Sequence, residues 1–267
     1  MFKLCPVLVE KPWGVTRLPQ PFEMPAGKRV GEIWFQGTEP APPLSLLVKY
    51  LFTSQALSIQ VHPNDEQART RGLPAGKEEC WYILDAKPGA SLGIGTIRKL
   101  DAKELREAAR TGEIEKLLHW HPVEPGMLFH VPPGTIHAIG AGITLLEVQQ
   151  NNDITYRLYD YGRARELHLT DGSDVANARP FPSEQQQQVN PERSSILLRA
   201  KHFTIAQITD DCRNIDLDAQ HDIVVIPVSG TIQIADFTAM PGECLIVSRE
   251  TCLKPEPGAR ALLAWSH

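Results

Sequence analysis

Three stretches of the chain carry side chains that could hold a metal ion or move a proton. In Leu57-Ser-Ile-Gln-Val-His62 the residues alternate across a strand, so Gln60 and His62 share one face while Ile59 and Val61 share the other. In Lys77-Glu-Glu-Cys-Trp-Tyr-Ile-Leu84 the same period sets Lys77, Glu79 and Trp81 on one face, and Cys80, Tyr82 and Leu84 on the other as core candidates. The third stretch, Gly126 to His137, fits G-x5-P-x-G-x2-H. There a glycine supplies a turn, a proline removes a ladder donor where a strand ends, and the chain re-enters the sheet carrying a histidine. His62, Glu79 and His137, with the amide of Gln60, make a borderline nitrogen and oxygen donor set. It suits Zn²⁺, with Mn²⁺, Fe²⁺ or Co²⁺ as alternatives. Cys80 falls on the wrong face to join it.

The elements that would position these groups are mostly short strands. Val30 to Phe35 interleaves charged and aromatic residues, and Leu44 to Phe52 is an apolar run interrupted only by Ser45 and Lys49, as suits a strand buried on both faces. Asp65 to Arg69 can form a short helix capped by Asn64 or Asp65. Leu100 to Trp120 is the strong helical signal: Asp101-x-x-Glu104 reads as a capping box, Leu105, Ala108 and Ala109 recur at helical spacing, and Gly112 breaks the run before Ile114, Leu117 and Leu118. His119 and His121, without an acidic partner nearby, read as surface histidines. Ile143 to Gln150 reads as a strand with Glu147 and Gln149 on one face, followed by a polar, aromatic and cationic stretch to Arg163. Arg157 in that stretch is either a salt-bridge partner of Glu147 or Asp153, or an electrostatic stabiliser in a site.

Residues 181–194, rich in proline and containing Gln185 to Gln188, read as a linker. Beyond them, Pro241-Gly242-x4-Val247 echoes Pro125-Gly126-x4-Val131, but Leu253 stands where the first copy has His137. A second, degenerate β-domain over 195–267 is therefore expected, without a metal site of its own. The first domain spans 1–180, with a helical insertion at about 100–119.

Composition bounds the rest. The 267 residues are 42% hydrophobic and 22% charged, with a net charge of −5 and no basic surplus, which disfavours nucleic acid as a partner. The 22 prolines and 19 glycines between short apolar runs suit a turn-rich β-protein. Five cysteines (Cys5, Cys80, Cys212, Cys244 and Cys252), with no C-x-x-C pair, argue against a disulfide framework and for a reducing cytoplasm. The start of the sequence lacks the apolar core of a signal peptide and no segment reaches membrane-spanning length, so a soluble cytoplasmic protein without a membrane partner is expected.

Taken in order, these motifs resemble a known family. G-x5-P-x-G-x2-H is the second motif of the cupin barrel. Leu57-Ser-Ile-Gln-Val-His-Pro63, Gly76-Lys-x-Glu79-x-Trp-Tyr82, Gly134-x-x-His137-Ala138, and Glu147-Val-Gln149 followed by Asp153-x-Thr-Tyr-Arg157 are similar to type I mannose-6-phosphate isomerases, in their short bacterial form. Glu32-x-Trp34 and Lys49-Tyr-Leu51 also fit, and the resemblance covers roughly residues 8 to 170.

The resemblance implies a mainly β fold: a jelly-roll cupin barrel with a small helical insertion and a second degenerate β-domain. It implies reversible conversion of mannose 6-phosphate and fructose 6-phosphate through a cis-enediol, with one Zn²⁺ per chain. His62, Glu79 and His137 would hold the metal, with Gln60 as fourth ligand. Arg157 matches the family's active-site arginine, and Lys77 and Ser58 look like substrate or phosphate contacts. Gln149 is a further substrate-side candidate. Glu147 or Lys77 would serve as general base if burial shifts its pKa. The partner expected is a small hexose phosphate, and the chain a monomer or homodimer. The reading from another class is a non-catalytic sugar-phosphate-binding cupin, a sensor marked by loss of Arg157 or of a metal ligand; none of these is lost here.

Overall fold

Strands that are apolar on both faces must be covered twice, and the layers of this protein follow from that. The structure, a computed structural model, describes residues 1–37, 44–209, 215 and 222–267. Cys212 lies outside the described residues; Cys5, Cys80, Cys244 and Cys252 are free thiols.

A seven-stranded antiparallel sheet runs in the order Gln186–Gln188, Met127–Val131, Glu79–Ala86, Ile143–Gln150, Leu46–Phe52, Val30–Gln36 and Cys5–Val15. Its inner face meets a five-stranded sheet ordered Tyr156–Tyr159, Ile59–Val61, His137–Ile139, Ser91–Thr96 and Leu118–Pro122. Trp13, Leu51, Trp81, Ile83, Leu92 and Phe129 fill the space between them. The alternate residues of the same strands, among them Val48, Tyr50, Cys80, Tyr82 and Val148, point to the other face. There they pack on Phe203, Ile205, Val224, Ile246 and Leu262 of a six-stranded sheet. Leu46–Phe52 is buried along its whole length, as its composition predicts.

The six-stranded sheet in turn packs on a three-stranded one, Phe237–Ala239, Ile232–Ile234 and Leu253–Pro255, around Val225, Leu263 and Trp265. The expected echo is present in the backbone: Gly126 and Gly242 take φ of 86° and 90° ahead of matching strands. The fold is thus mainly β with a helical insertion and a second β-body, as expected. Two strands tie the bodies together. Phe2–Lys3, at the start of the chain, pairs with Leu245–Val247 of the six-stranded sheet, and Gln186–Gln188, within the stretch read as linker, pairs with Met127–Val131.

Helices cover the outer face of the five-stranded sheet. Ala102–Thr111 begins at Asp101, whose side chain accepts from the backbone of Lys103 and Glu104 while Glu104 reaches back, and it ends at Gly112 with φ of 83°. Leu105, Ala109 and Ile114 pack on Ile59, Val61 and Leu158. Asp65–Arg69 is capped by Asn64 with a reciprocal bond from Gln67. A further helix, Leu169–Val175, has no counterpart in the sequence reading. Its Gly172 lies so close to Leu158 that a Cβ would stand 2.6 Å from Leu158 Cδ2, which explains a glycine in mid-helix. No helix among the described residues is long and apolar enough to cross a membrane.

Candidate metal centre and active site

Register brings the ligand candidates together. His137 pairs with Gln60 across the five-stranded sheet, and Gln60 pairs with Arg157 on its other side. In the facing sheet Glu79 pairs with Gln149, and Glu147 lies between Trp81 and Lys49. The inward faces of the two sheets therefore present His62, His137 and Gln60 from one side and Glu79 from the other.

The ligand atoms of His62, Glu79 and His137 all lie within 4.8 Å of one another. His62 Nε2 is 3.6 Å from Glu79 Oε2, and His137 Nε2 is 3.3 Å from Glu79 Oε1. Metal bonds of about 2.0–2.2 Å in a tetrahedron place ligand atoms about 3.3–3.6 Å apart, so this spacing suits an ion between them. Both tautomers are fixed from behind: His62 Nδ1 donates to Ile154 O at 2.7 Å and His137 Nδ1 to Thr135 O at 2.9 Å, leaving each Nε2 lone pair turned inward. His62 Nε2 and both Glu79 oxygens are buried without a hydrogen bond, the Lys77 ammonium at 3.3 Å from Glu79 Oε2 being the one opposite charge against them. Buried polar atoms are normally satisfied, so three orphans converging on one point fit a divalent cation. Burial depresses the imidazoles, His137 to about 4 and His62 well below its ordinary value, which keeps both neutral and able to ligate.

Gln60 stands next to the set. Its amide nitrogen stands 3.3 Å from His137 Nε2, and its oxygen accepts from Ser58 Oγ at 3.1 Å. In this orientation the amide N–H donates to the His137 Nε2 lone pair. A half-turn of the amide brings its oxygen into the cluster and lets its nitrogen donate to Ser58 Oγ.

Beside the cluster lies a cavity of about 330 Å³, walled by Lys11, Trp13, Glu32, Lys49, Ser58, Gln60, Lys77, Glu147, Asp153, Arg157 and Arg165. His62, Glu79 and His137 do not line it themselves; it reaches them through Gln60, 3.3 Å from His137 Nε2, and Lys77, 3.3 Å from Glu79 Oε2, neither of which lines the cavities of 440 and 470 Å³ elsewhere. Of the expected site residues, Ser58, Gln60, Lys77, Glu147 and Arg157 reach this wall. Gln149 does not: it is fully buried beside Glu79, and its amide nitrogen donates to Gln150 O and Asn152 O.

Charges in the wall are paired. Lys77 Nζ is 3.3 Å from Glu79 Oε2, and although burial opposes its charge, Glu79 and Glu147 raise its pKa above the usual lysine value. Glu147 is buried too, yet Lys49 at 3.3 Å, Lys77 and the Trp81 indole N–H at 2.9 Å pull it down to about 2. Burial alone would favour the neutral form of each; the opposite charges beside them favour the charged form. Their neighbours hold both fully charged.

Arg157 makes neither of the salt bridges considered for it, since Lys49 takes both Glu147 and Asp153. Its Nη1 donates to Glu166 O at 2.8 Å, while its Nε is buried without a partner. Lys49, packed 4.5 Å from the Trp34 ring centre, and Arg165, bidentate on Asp160, were given no site role from the sequence. The available signal for Lys49 was a lone lysine in an otherwise apolar run, because a buried lysine is rarely without a role.

No family model matches the chain. Curated relatives do. The mannose-6-phosphate isomerase ManA of Bacillus subtilis is 40% identical over 172 residues, 61% of this chain and 54% of that protein. The mannose-6-phosphate isomerase of Streptococcus mutans is 43% identical over 147 residues, 51% of this chain and 46% of its own length. The matches thus span about half the length of these two relatives. YvyI of Bacillus subtilis, which carries the same family name, is 33% identical over 213 residues, 65% of this chain and 67% of that protein. The chain belongs to the mannose-6-phosphate isomerase family. Among solved structures, the mannose 6-phosphate isomerase of Bacillus subtilis superposes with a TM-score of 0.75 at 24% identity, covering 98% of both chains, so the family fold is kept throughout.

Proposed function

We propose that this member of the mannose-6-phosphate isomerase family interconverts mannose 6-phosphate and fructose 6-phosphate through a cis-enediol, with one Zn²⁺ per chain. The observation that carries the reading is the buried His62–Glu79–His137 cluster opening beside a cavity lined with cations. His62, Glu79 and His137 hold the metal and Gln60 gives the fourth ligand. A divalent cation there, when bound, polarises the sugar's oxygens and so acidifies the C2–H bond.

The chain's own residues do the rest. Isomerisation moves a proton from C2 to C1 and another from O2 to O1, with negative charge building on oxygen between the two. Glu147 is ionised and can accept the C2 proton and return it at C1; Lys77, as ammonium, cannot accept one. A carboxylate held at about 2 is a weak base, so the mechanism depends on acidifying the substrate. Lys77 as a donor to the developing oxyanion, and Arg157 with its free Nε facing negative charge, contribute to that. The cationic groups of the cavity wall suit a phosphate, with Ser58 as a hydroxyl contact. Gln149, with its nitrogen committed to Gln150 O and Asn152 O, has no substrate contact in this reading.

The test is mannose 6-phosphate incubated with the holoprotein in D₂O and followed by NMR. Appearance of fructose 6-phosphate carrying deuterium at C1 is expected. Binding of the sugar phosphate without turnover would sink the isomerase and promote a sensor. Turnover without any label would mean that the hydrogen passes from C2 to C1 without exchanging with solvent, and would contradict a carboxylate that exchanges its proton during the transfer.

A further inference from the structure

A second polar network, half-buried around a buried Glu78, lies where the two β-bodies meet. His202 stands at the start of the Phe203–Ile208 strand in the six-stranded sheet, and its ring reaches into the first body. Its Nδ1 lies 2.6 Å from Glu78 Oε2 and its Nε2 2.9 Å from Asp65 Oδ2, while its backbone N–H donates to the same Glu78 oxygen at 3.1 Å. The other Glu78 oxygen accepts from His130 Nε2 at 2.9 Å. Asp65 Oδ1 accepts from the Gly76 N–H at 2.9 Å and from Gln150 Nε2 at 3.1 Å.

Each of these groups sits just outside a residue of the metal centre. Glu78 precedes Glu79, and Asp65 follows His62 by three residues. His130 lies in the Met127–Val131 strand, whose Val131 pairs with Glu79, and Gly76 precedes Lys77. The strands bearing Gln60 and His137 are only three residues long, Ile59–Val61 and His137–Ile139. Ladder bonds alone therefore fix their ends weakly, and something else must set the spacing between ligands held to a few tenths of an ångström.

We propose that His202 is a positioning residue for the metal centre: by bridging Asp65 and Glu78 it holds together the chain segments that carry His62 and Glu79. The second β-body, which has no ligand cluster of its own among the described residues, thereby sets the geometry of the site in the first. The inference rests on the reading of His62, Glu79 and His137 as metal ligands. Removing the ring leaves the buried Glu78 carboxylate short of a donor. The strand it anchors then shifts to find water, carrying Glu79 with it.

The test compares wild type with His202→Ala and Asp65→Asn. It reads zinc affinity by chelator competition, the visible spectrum of the Co²⁺-loaded protein, thermal unfolding, and kcat apart from KM. Outer partners of metal ligands typically account for about 10–100-fold in affinity, so a zinc affinity lower by that factor is expected in His202→Ala. An altered Co²⁺ spectrum and a kcat that falls more than KM changes should accompany it. Asp65→Asn, which removes one of the two bridged carboxylates, should show a smaller shift in the same direction and keeps the test alive if His202→Ala fails to fold. Unchanged zinc affinity and Co²⁺ spectrum in the folded variants, whatever their melting temperature, would overturn the inference and leave His202 a mere joint between bodies. A wild-type protein that binds no zinc would overturn the ligand reading, and this inference with it.

Discussion

Glu147 owes its ionisation to three donors around it, Lys49, Lys77 and the Trp81 indole, since burial alone would protonate it. Glu147→Gln keeps the shape and the indole contact but removes the proton acceptor. General base catalysis contributes roughly 10²–10⁴-fold, so kcat should fall by that factor with KM nearly unchanged in steady-state assays; a loss below tenfold would assign the proton transfer elsewhere. Much of this site was legible beforehand, because period-two alternation places Gln60 with His62 and Lys77 with Glu79 without knowledge of the fold. Lys49 was not legible as a site residue. Its strand is apolar on both sides of it, and only the pairing with Glu147 shows why a lysine is there. Gln149 was misleading for the opposite reason: alternation gives a face correctly but not whether the amide turns toward a cavity or toward the backbone.

The turn between the Asp65–Arg69 helix and the Glu79–Ala86 strand is where sequence spacing becomes site geometry. A Cβ on Gly76 would stand 2.5 Å from Pro63 O and 2.6 Å from Asn64 C, both immovable backbone atoms next to Lys77. Gly76→Ala should destabilise the protein by ~1–3 kcal/mol, measured by denaturant unfolding, and lower activity beyond what stability explains. Asp65, at the other side of that turn, is held at about 2 instead of 3.8. Burial opposes this shift, while the Gly76, Gln150 and His202 hydrogen bonds cause it. A depressed carboxylate contributes stability that is fully present above its unfolded pKa and is lost as pH falls through the folded one. The stability gap between wild type and Asp65→Asn should therefore shrink as pH drops from 3.8 to about 2. A gap that widens there would refute the assignment. Helices with conventional caps, such as Ala102–Thr111, announce themselves in sequence. Leu169–Val175 does not, because Gly172, Asp171 and Asp174 are poor helix formers and only packing against Leu158 makes the helix stable.

The apolar layer between the seven- and six-stranded sheets is a single core built from both β-bodies, from Val48 and Tyr50 on one side to Phe203 and Leu262 on the other. Exposing either face would leave large side chains in water, so thermal unfolding should follow one transition by calorimetry; two separated transitions would mean independent bodies. The matching Pro-Gly turns in the sequence pointed to a second β-body, and glycines of like φ stand ahead of strands in both. Those turns could not foretell that Phe2–Lys3 pairs with the distal sheet, since a two-residue strand carries no periodicity. That union makes one molecule of which only one half carries the ligand cluster seen among the described residues. The most direct measurement is conversion of mannose 6-phosphate to fructose 6-phosphate by the protein as purified, after chelation, and after stepwise return of Zn²⁺. Activity should vanish with the metal and return in proportion to zinc, reaching its full value at one ion per chain. Full activity in metal-stripped protein, or none in protein carrying one zinc, would contradict a zinc-dependent isomerase.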